Sequence, residues 1–374
     1  MSIMNNLNIL KQLSEAFGPS GFEEEVNTII SNEFKSLKSF TRTEDGLGSV
    51  IFTKDSNAII YPPPESSHSY LSSLPVISLV AHMDEIGYLV KYIDDNGFIK
   101  VQSLGGWLPQ AMINQRWTIR TENKDIMGVS GIKTIHVMTP EERRSFYKTN
   151  NELFIDIGAK NKSDAIDIGI RPGNPIAPYS KVEELNNERL LGKAWDDRIG
   201  CSMLVDLAKR IDDITLPYKL NIVFTTQEEI GLRGAMTTAY ITDSDICINL
   251  EVGVAGDFSY MTKDEAQEEL GLGPSIFLHD SSMLPDKNFQ NYIEKIAADN
   301  DINLQYEVLA GYGEDGAMYQ KSRQGIPAIN LGIPTRYLHS HNSVIDLNDY
   351  KNGVKLVEHI INDLNLDKIT TIIN

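Results

Sequence analysis

The stretch YKLNIVFTTQEEIGLRGAMTTAYITDSDICINLEV, residues 218–252, alternates strand and helix patterns. YKLNIVFTT and ICINLEV are apolar runs of strand length, and GAMTTAYI between them has helical character. Upstream, RIGCSMLVDLAKRI (198–211) predicts a helix, and downstream the alternation continues to the amphipathic YKNGVKLVEHIINDL (350–364). Such alternation is typical of a mostly parallel sheet covered by helices on both faces. We therefore predict an α/β fold.

The middle of the chain follows a different pattern. Between 89 and 183, short segments such as RWTIRT and FIKVQSL are separated by turn sequences such as DDNG and KNKSD. Short strands at close spacing predict a small all-β unit. We expect an α/β domain built from residues 1–88 and 184–374, with a β-barrel domain of residues 89–183 inserted between them. The proline-rich YPPPESSHSYLSS (61–73) is interpreted as a surface loop.

Length and composition narrow the class of protein. A chain of 374 residues is long enough for more than one domain, and a net charge of −18 argues against nucleic acid or an anionic membrane as partner. Cys201 and Cys247 lie in apolar runs, which indicates small buried side chains rather than a disulfide framework. The amino terminus lacks the features of a secretory signal, and no apolar run is long enough to cross a bilayer. We expect a soluble cytoplasmic protein.

Acid and histidine residues recur where predicted strands end, which is where open α/β sheets form their sites. The residues are His82 and Asp84 after LPVISLVA, Glu228 and Glu229 after NIVFTT, Glu251 after ICINL, His339 after AINLGIPTRYL, and the pair Asp196 and Asp197 before a helix. Singly, each has an ordinary structural explanation, such as a hydrogen-bonded histidine, a helix N-cap or a solvated glutamate pair. Together they use two of only seven histidines at several independent strand ends.

Two imidazoles and three carboxylates are a donor set that suits a pair of zinc-like ions. One carboxylate can bridge two such ions about 3.5 Å apart. Three carboxylates and one bound hydroxide nearly neutralise two dications. This combination predicts a site that activates water near neutral pH.

Five motifs carry a resemblance to a known family: GPSGFEEEV, AHMDEIG, WDDRIG, TTQEEIGLRGA and GIPTRYLHS. They resemble motifs of the glutamyl/deblocking aminopeptidases, dinuclear metalloaminopeptidases that often form tetrahedral TET-type assemblies. LGGW and LFIDIGAK extend the resemblance through the predicted insertion, so that it covers nearly the whole chain. It implies a zinc-exopeptidase-like fold, an inserted domain that dimerises, and homo-oligomers in which dimers assemble to a dodecamer. It also implies two divalent ions per subunit, zinc or cobalt, with manganese as a further option.

The resemblance assigns roles to the strand-end residues. His82 and Glu251 would ligate one ion, Glu229 and His339 the other, Asp196 would bridge both, Glu228 would be the general base, and Asp84 would orient the His82 imidazole. The peptide bond that follows Asp196 would be cis.

Two departures concern the ligands. Glu251 stands where the family usually has aspartate, which leaves Asp257 as a competing ligand. His341 stands where the family often has proline, which adds a second histidine beside His339; the family position favours His339.

Two further residues bear on substrate binding. GEDGA (313–317) replaces the family's GTDA, so that Glu314 stands in place of threonine while Asp315 is retained. Arg336 either binds a substrate carboxylate or pairs with a neighbouring acid, and both interpretations stay open.

Three functional hypotheses follow. The first is a metal-dependent aminopeptidase that removes the amino-terminal residue of short peptides. The second is a dinuclear metal amidohydrolase or deacylase acting on a small N-acyl substrate. The third is a catalytically silent assembly subunit. The sequence selects neither the preferred amino-terminal residue nor the native metal, because imidazole and carboxylate suit several divalent ions.

Overall fold

The computed structural model describes residues 3–56, 74–144 and 153–374, so the loop predicted at 61–73 lies outside the described residues. The strands are β1 (Phe40–Glu44), β2 (Val50–Lys54), β3 (Val76–His82), β4 (Gly87–Ile93), β5 (Ile99–Leu104), β6 (Arg116–Arg120), β7 (Asp125–Ser130), β8 (Ile155–Asp156), β9 (Pro175–Pro178), β10 (Glu183–Glu184), β11 (Arg189–Gly192), β12 (Lys219–Thr225), β13 (Ile246–Val254), β14 (Ser275–His279), β15 (Gln305–Val308), β16 (Ala328–Arg336) and β17 (Ser343–Asp346). The α-helices are α1 (Ile3–Glu15), α2 (Glu24–Phe34), α3 (Lys162–Ile168), α4 (Trp195–Ile211), α5 (Arg233–Thr242), α6 (Lys287–Asp299), α7 (Gly316–Gln320), α8 (Leu347–Asp363) and α9 (Leu366–Ile373).

One large sheet organises the α/β domain. Across the described residues its strand order is β1-β2-β12-β3-β13-β16-β17-β11-β10, with β14 and β15 branching from β16. The four central strands β12, β3, β13 and β16 are parallel, whereas the flanks and the β14–β16 pair are antiparallel. The predicted α/β fold with a mostly parallel sheet is confirmed.

Helices cover both faces of this sheet, and the strand side chains alternate between them. Ile222 and Phe224 of β12 belong to the large core formed with α1, α2, α4, α6, α8 and α9, whereas Val223 joins a second core with α5 and α7. A strand buried on both faces requires an uninterrupted apolar run. This explains why NIVF has no polar residue after Asn221.

The inserted unit is a closed barrel of strand order β4-β5-β8-β7-β6-β9, as expected. It has its own core, in which Tyr88 stacks on Trp107 with a ring separation of 5.3 Å, and both rings contact Trp117. The barrel strands run from Gly87 to Pro178. The division into residues 1–88, 89–183 and 184–374 stays a prediction.

Strand register brings the predicted site residues to one edge of the sheet. His82, the last residue of β3, lies opposite Thr225, the last residue of β12. Glu251 of β13 lies opposite Gly332 of β16. The loops that follow these parallel strands therefore leave from the same edge.

Both cysteines are buried and outside any disulfide, in agreement with the sequence. In the described part of the chain, none of the helices combines the length and the apolar character needed to span a membrane.

Ile248 tests the assignment of the central strand. It is fully buried in the large core. Because truncation leaves a cavity, Ile248→Ala should lower the free energy of unfolding by about 2–5 kcal/mol, measured by urea denaturation followed by circular dichroism. Ile241→Ala is the matched control, since Ile241 is 50% exposed on α5. Equal stability of the two variants would contradict the assignment.

Candidate active site

Asp196 lies between the two predicted histidine ligands. Its Oδ1 is 2.9 Å from His82 Nε2, and its Oδ2 is 3.3 Å from His339 Nε2. Burial raises the pKa of Asp196, but His339 and His82 outweigh this effect and lower it. One carboxylate thus joins two imidazoles that come from different strand ends.

A glutamate lies near each histidine. Glu229 Oε2 is 3.6 Å from His339 Nε2, and Glu251 Oε2 is 4.0 Å from His82 Nε2. Burial raises the pKa of Glu229 to about 8 and raises that of Glu251 well above its usual value. Glu229 Oε1 is buried and has no hydrogen-bond partner within the described residues. Each histidine therefore has a glutamate beside it, and Asp196 contacts both histidines.

Asp84 holds the loop that carries the adjacent glutamates. Its Oδ1 accepts a hydrogen bond from Glu228 N at 2.9 Å, and its Oδ2 accepts from Glu229 N at 3.1 Å and from Ser20 Oγ at 2.6 Å. Burial raises the pKa of Asp84, but His82 and these donors lower it overall. Asp84 also fixes the His82 ring, because Nδ1 lies 3.1 Å from the Asp84 carbonyl oxygen and 3.5 Å from Oδ1.

Glu228 faces the same space from another side. Its Oε2 is 3.9 Å from His82 Nε2. Burial raises the pKa of Glu228 well above its usual value; His82 opposes the rise, and the nearby charges of Glu314 and Asp315 add to it. Glu228 is thus a buried carboxyl beside a histidine–carboxylate cluster.

Asp197 holds backbone groups of two elements, and one of its contacts is the helix cap that the sequence suggested for this pair. The Asp196–Asp197 peptide bond is cis, as the resemblance implied. Asp197 Oδ2 accepts from His82 N at 3.1 Å, and its Oδ1 accepts from Gly200 N at 3.0 Å. An oxygen of Asp197 also lies within 4.8 Å of the ligand atoms of His82 and Glu251. Asp197 thus caps the regular part of α4, which begins after the non-helical Asp196 and Asp197, and holds the end of β3.

The structure brings Glu251, and not Asp257, to the histidines. Asp257 instead forms a two-point ion pair with Arg336, with Nε–Oδ1 at 2.7 Å and Nη2–Oδ2 at 2.5 Å. Of the two interpretations left open for Arg336, the contacts favour pairing with a neighbouring acid, since its guanidinium is engaged by Asp257 and does not line the cavity.

The structure likewise gives His339 and His341, two residues apart in the sequence, different surroundings. His341 is buried against the barrel, with Nε2 2.9 Å from the Arg116 carbonyl oxygen and its ring 4.4 Å from that of Trp117. Burial lowers the pKa of His341 to about 4. His339 is the member of the pair that joins the acid cluster.

The barrel contributes a backbone group to the site. The Gly106 carbonyl oxygen is 2.6 Å from His339 Nδ1, which leaves Nε2 facing Asp196. Gly105 has a φ of +82°, and a Cβ there would lie 2.5 Å from the Ile86 side chain and 3.0 Å from Glu229 Oε2. The two glycines of LGGW thus allow the barrel loop to approach Glu229 and His339 closely. The pair of adjacent glycines was the only feature of the sequence that indicated this contact.

A cavity of about 690 Å³ opens beside these groups. Its lining comprises Gly106, Asp196, Glu228, Glu229, Gly231, Leu232, Val252, Val254, Ser281, Ser282, Gly311, Tyr312, Gly313, Glu314, Leu338 and His339. Within the described residues, this lining includes carboxylates and an imidazole but neither lysine nor arginine. Burial and the charge of Asp196 raise the pKa of Glu314 to about 8.

The donor set fits divalent cations. Buried carboxylates are costly without compensating charge, and here they outnumber the two imidazoles. The unpartnered Glu229 oxygen is a free donor atom in the group that it forms with Asp196 and His339. Imidazole nitrogen with carboxylate oxygen is the ligand chemistry of zinc and similar ions.

A mostly parallel α/β sheet with this cavity at its carboxyl edge is the zinc-peptidase type of fold. The chain belongs to the M42 glutamyl aminopeptidase family, whose model matches residues 69–356. It is therefore an enzyme that hydrolyses peptide bonds.

Individual relatives are similar to this chain along nearly the full length of both proteins. The putative aminopeptidase FrvX of Escherichia coli K12 is 33% identical over 365 residues, covering 97% of each chain. The TET aminopeptidase structure from the marine sediment archaeon Thaumarchaeota archaeon SCGC AB-539-E09 has a TM-score of 0.91 at 34% identity, covering 99% of each chain. The TET1 peptidase of Pyrococcus horikoshii, which can assemble into a tetrahedron or a large octahedral shell, has a TM-score of 0.83 at 26% identity, covering 96% of this chain and 100% of its own.

Gly105→Ala tests the contribution of the barrel. The added methyl would displace the loop from Ile86 and Glu229, and we expect aminoacyl-anilide hydrolysis to fall about 10–100-fold. Gly173→Ala is a matched control, because Gly173 also has a positive φ, +87°, but has no atom within 4 Å of an added Cβ. Comparable losses in both variants would attribute the effect to backbone strain and not to the site.

Proposed function

We propose that this protein is an aminopeptidase that removes the amino-terminal residue of short peptides with a pair of divalent ions and Glu228 as general base. The observation that carries the proposal is the Asp196 carboxylate, whose two oxygens face two different imidazoles at 2.9 Å and 3.3 Å. A carboxylate placed in this way suits a bridging ligand.

The surrounding residues supply a complete ligand set. His82 and Glu251 would hold one ion, His339 and Glu229 the second, and Asp196 both. When bound, such ions polarise a scissile carbonyl and lower the pKa of a bound water. Zinc, cobalt and manganese all suit these ligands.

The protein's own groups account for the proton transfers. Glu228 would accept a proton from the attacking water and deliver it to the leaving amine. Asp84 would support this role, since it holds the backbone of both glutamates and fixes the His82 ring. Such supporting contacts keep ligands and base in register.

Family membership supports a peptide substrate over the alternatives of a small N-acyl substrate or a silent assembly subunit. The complete acid and histidine set also disfavours a silent subunit. We further propose a homo-oligomer in which barrels pair and dimers assemble to a dodecamer, in line with the tetrahedral assembly of the P. horikoshii relative.

Glu228→Gln tests the general base. The amide keeps the shape of the side chain but cannot accept the proton, so kcat on an aminoacyl-anilide should fall about 10²–10⁴-fold. Elemental analysis should show unchanged metal content. Glu24→Gln, an exposed change on α2, is the control for the acid-to-amide substitution. Near wild-type turnover in Glu228→Gln would refute the role of Glu228.

Asp196→Asn tests the shared ligand. Loss of one negative charge from the bridging position should reduce bound metal from about two ions per chain to one or none, measured by elemental analysis after dialysis. Asp257→Asn is the control, because Asp257 pairs with Arg336 outside the cavity. Activity that survives thorough chelation, without zinc, cobalt or manganese added back, would exclude the metal-dependent mechanism.

A further inference from the structure

Glu314 is a buried acid at the site without a role in the proposed mechanism. The proposed ions and base use Glu228, Glu229 and Glu251, which leaves Glu314 unassigned. Glu314 is 9% exposed and lines the cavity. Glu314 is the residue of GEDGA that replaces the threonine of the family's GTDA motif.

The position of Glu314 relative to the base is defined. Carboxylate oxygens of Glu314, Glu228 and Glu251 lie within 4.8 Å of one another. This group contains no imidazole, in contrast to the groups that include His82 and His339. Glu314 therefore borders the general base and meets the His82 group only through Glu251.

That distance matches the geometry of an amino-terminal residue. The carbonyl carbon under attack must lie beside the water that Glu228 deprotonates. The α-nitrogen is only about 2.5 Å from that carbon. A carboxylate this close to Glu228 can accept a charge-assisted hydrogen bond from the α-ammonium. The cation of a lysine side chain lies several bonds further away.

The charge of the cavity points to the same ligand. Two dications would be balanced by Asp196, Glu229, Glu251 and one hydroxide. Glu314 remains outside this count, and within the described residues no lysine or arginine lines the cavity beside it. An ammonium group on the substrate would supply the missing cationic partner.

We propose that Glu314 binds the α-ammonium group of the substrate and so selects peptides with a free amino terminus. This inference rests on the proposed function. Glu314 is thus a specificity residue for the amino terminus rather than for the first side chain.

The test compares substrates with and without the amine. We would measure kcat/KM for leucyl-p-nitroanilide and for 4-methylpentanoyl-p-nitroanilide, which lacks only the α-amine. Wild type should prefer the amine, and Glu314→Gln should reduce this preference about tenfold to a hundredfold. Glu314→Asp should restore part of it, and the exposed Glu265→Gln should retain it. Metal content should be unchanged in all variants.

Each other outcome overturns the inference. An unchanged preference in Glu314→Gln would show that Glu314 does not bind the amine. Lysyl- and arginyl-p-nitroanilide would be assayed in parallel, and a loss of kcat/KM confined to these two would show that Glu314 binds the substrate side chain. A fall in metal content in Glu314→Gln would show that Glu314 is a metal ligand. A wild-type enzyme that loads metal but cleaves no aminoacyl substrate would instead refute the proposed function.

Discussion

A single buried carboxylate joins the ends of two neighbouring parallel strands, and the site depends on this contact. Asp84 follows β3 and accepts hydrogen bonds from two consecutive backbone N–H groups beyond β12. With the backbone held, the side chains of Glu228 and Glu229 diverge, one towards His82 and the other towards His339. This explains how two adjacent glutamates can enter one cavity from different sides.

The second constraint is electrostatic. Buried carboxylates are crowded around two imidazoles, and burial raises the pKa of Glu229 to about 8 while the charges of Glu229 and Asp196 raise that of His339 to about 10 against the effect of its burial. Without cations, the cluster is therefore stabilised by holding protons. Cation binding to such ligands displaces protons, so metal affinity and protonation are linked.

The sequence predicted the parts that rest on local pattern. Apolar runs marked the central strands, short strands marked the barrel, and His82, Glu229 and His339 stood out because they follow strands. It left open choices that depend on distant partners: Asp257 pairs with Arg336, 79 positions away, which no local pattern reveals. The roles of individual residues came from resemblance, whereas the contact of Gly106 with His339 involves a backbone carbonyl that has no side-chain signature.

The Gly106 contact changes how the insertion should be regarded. Gly106, in the loop after β5 of the barrel, lines the cavity, and the other lining residues come from the segments that build the large sheet and its loops. The barrel is therefore not an accessory that evolution could exchange freely for another domain. A replacement would have to present a carbonyl to the same imidazole and leave room beside Glu229, so the active site constrains which sequences the insertion can have.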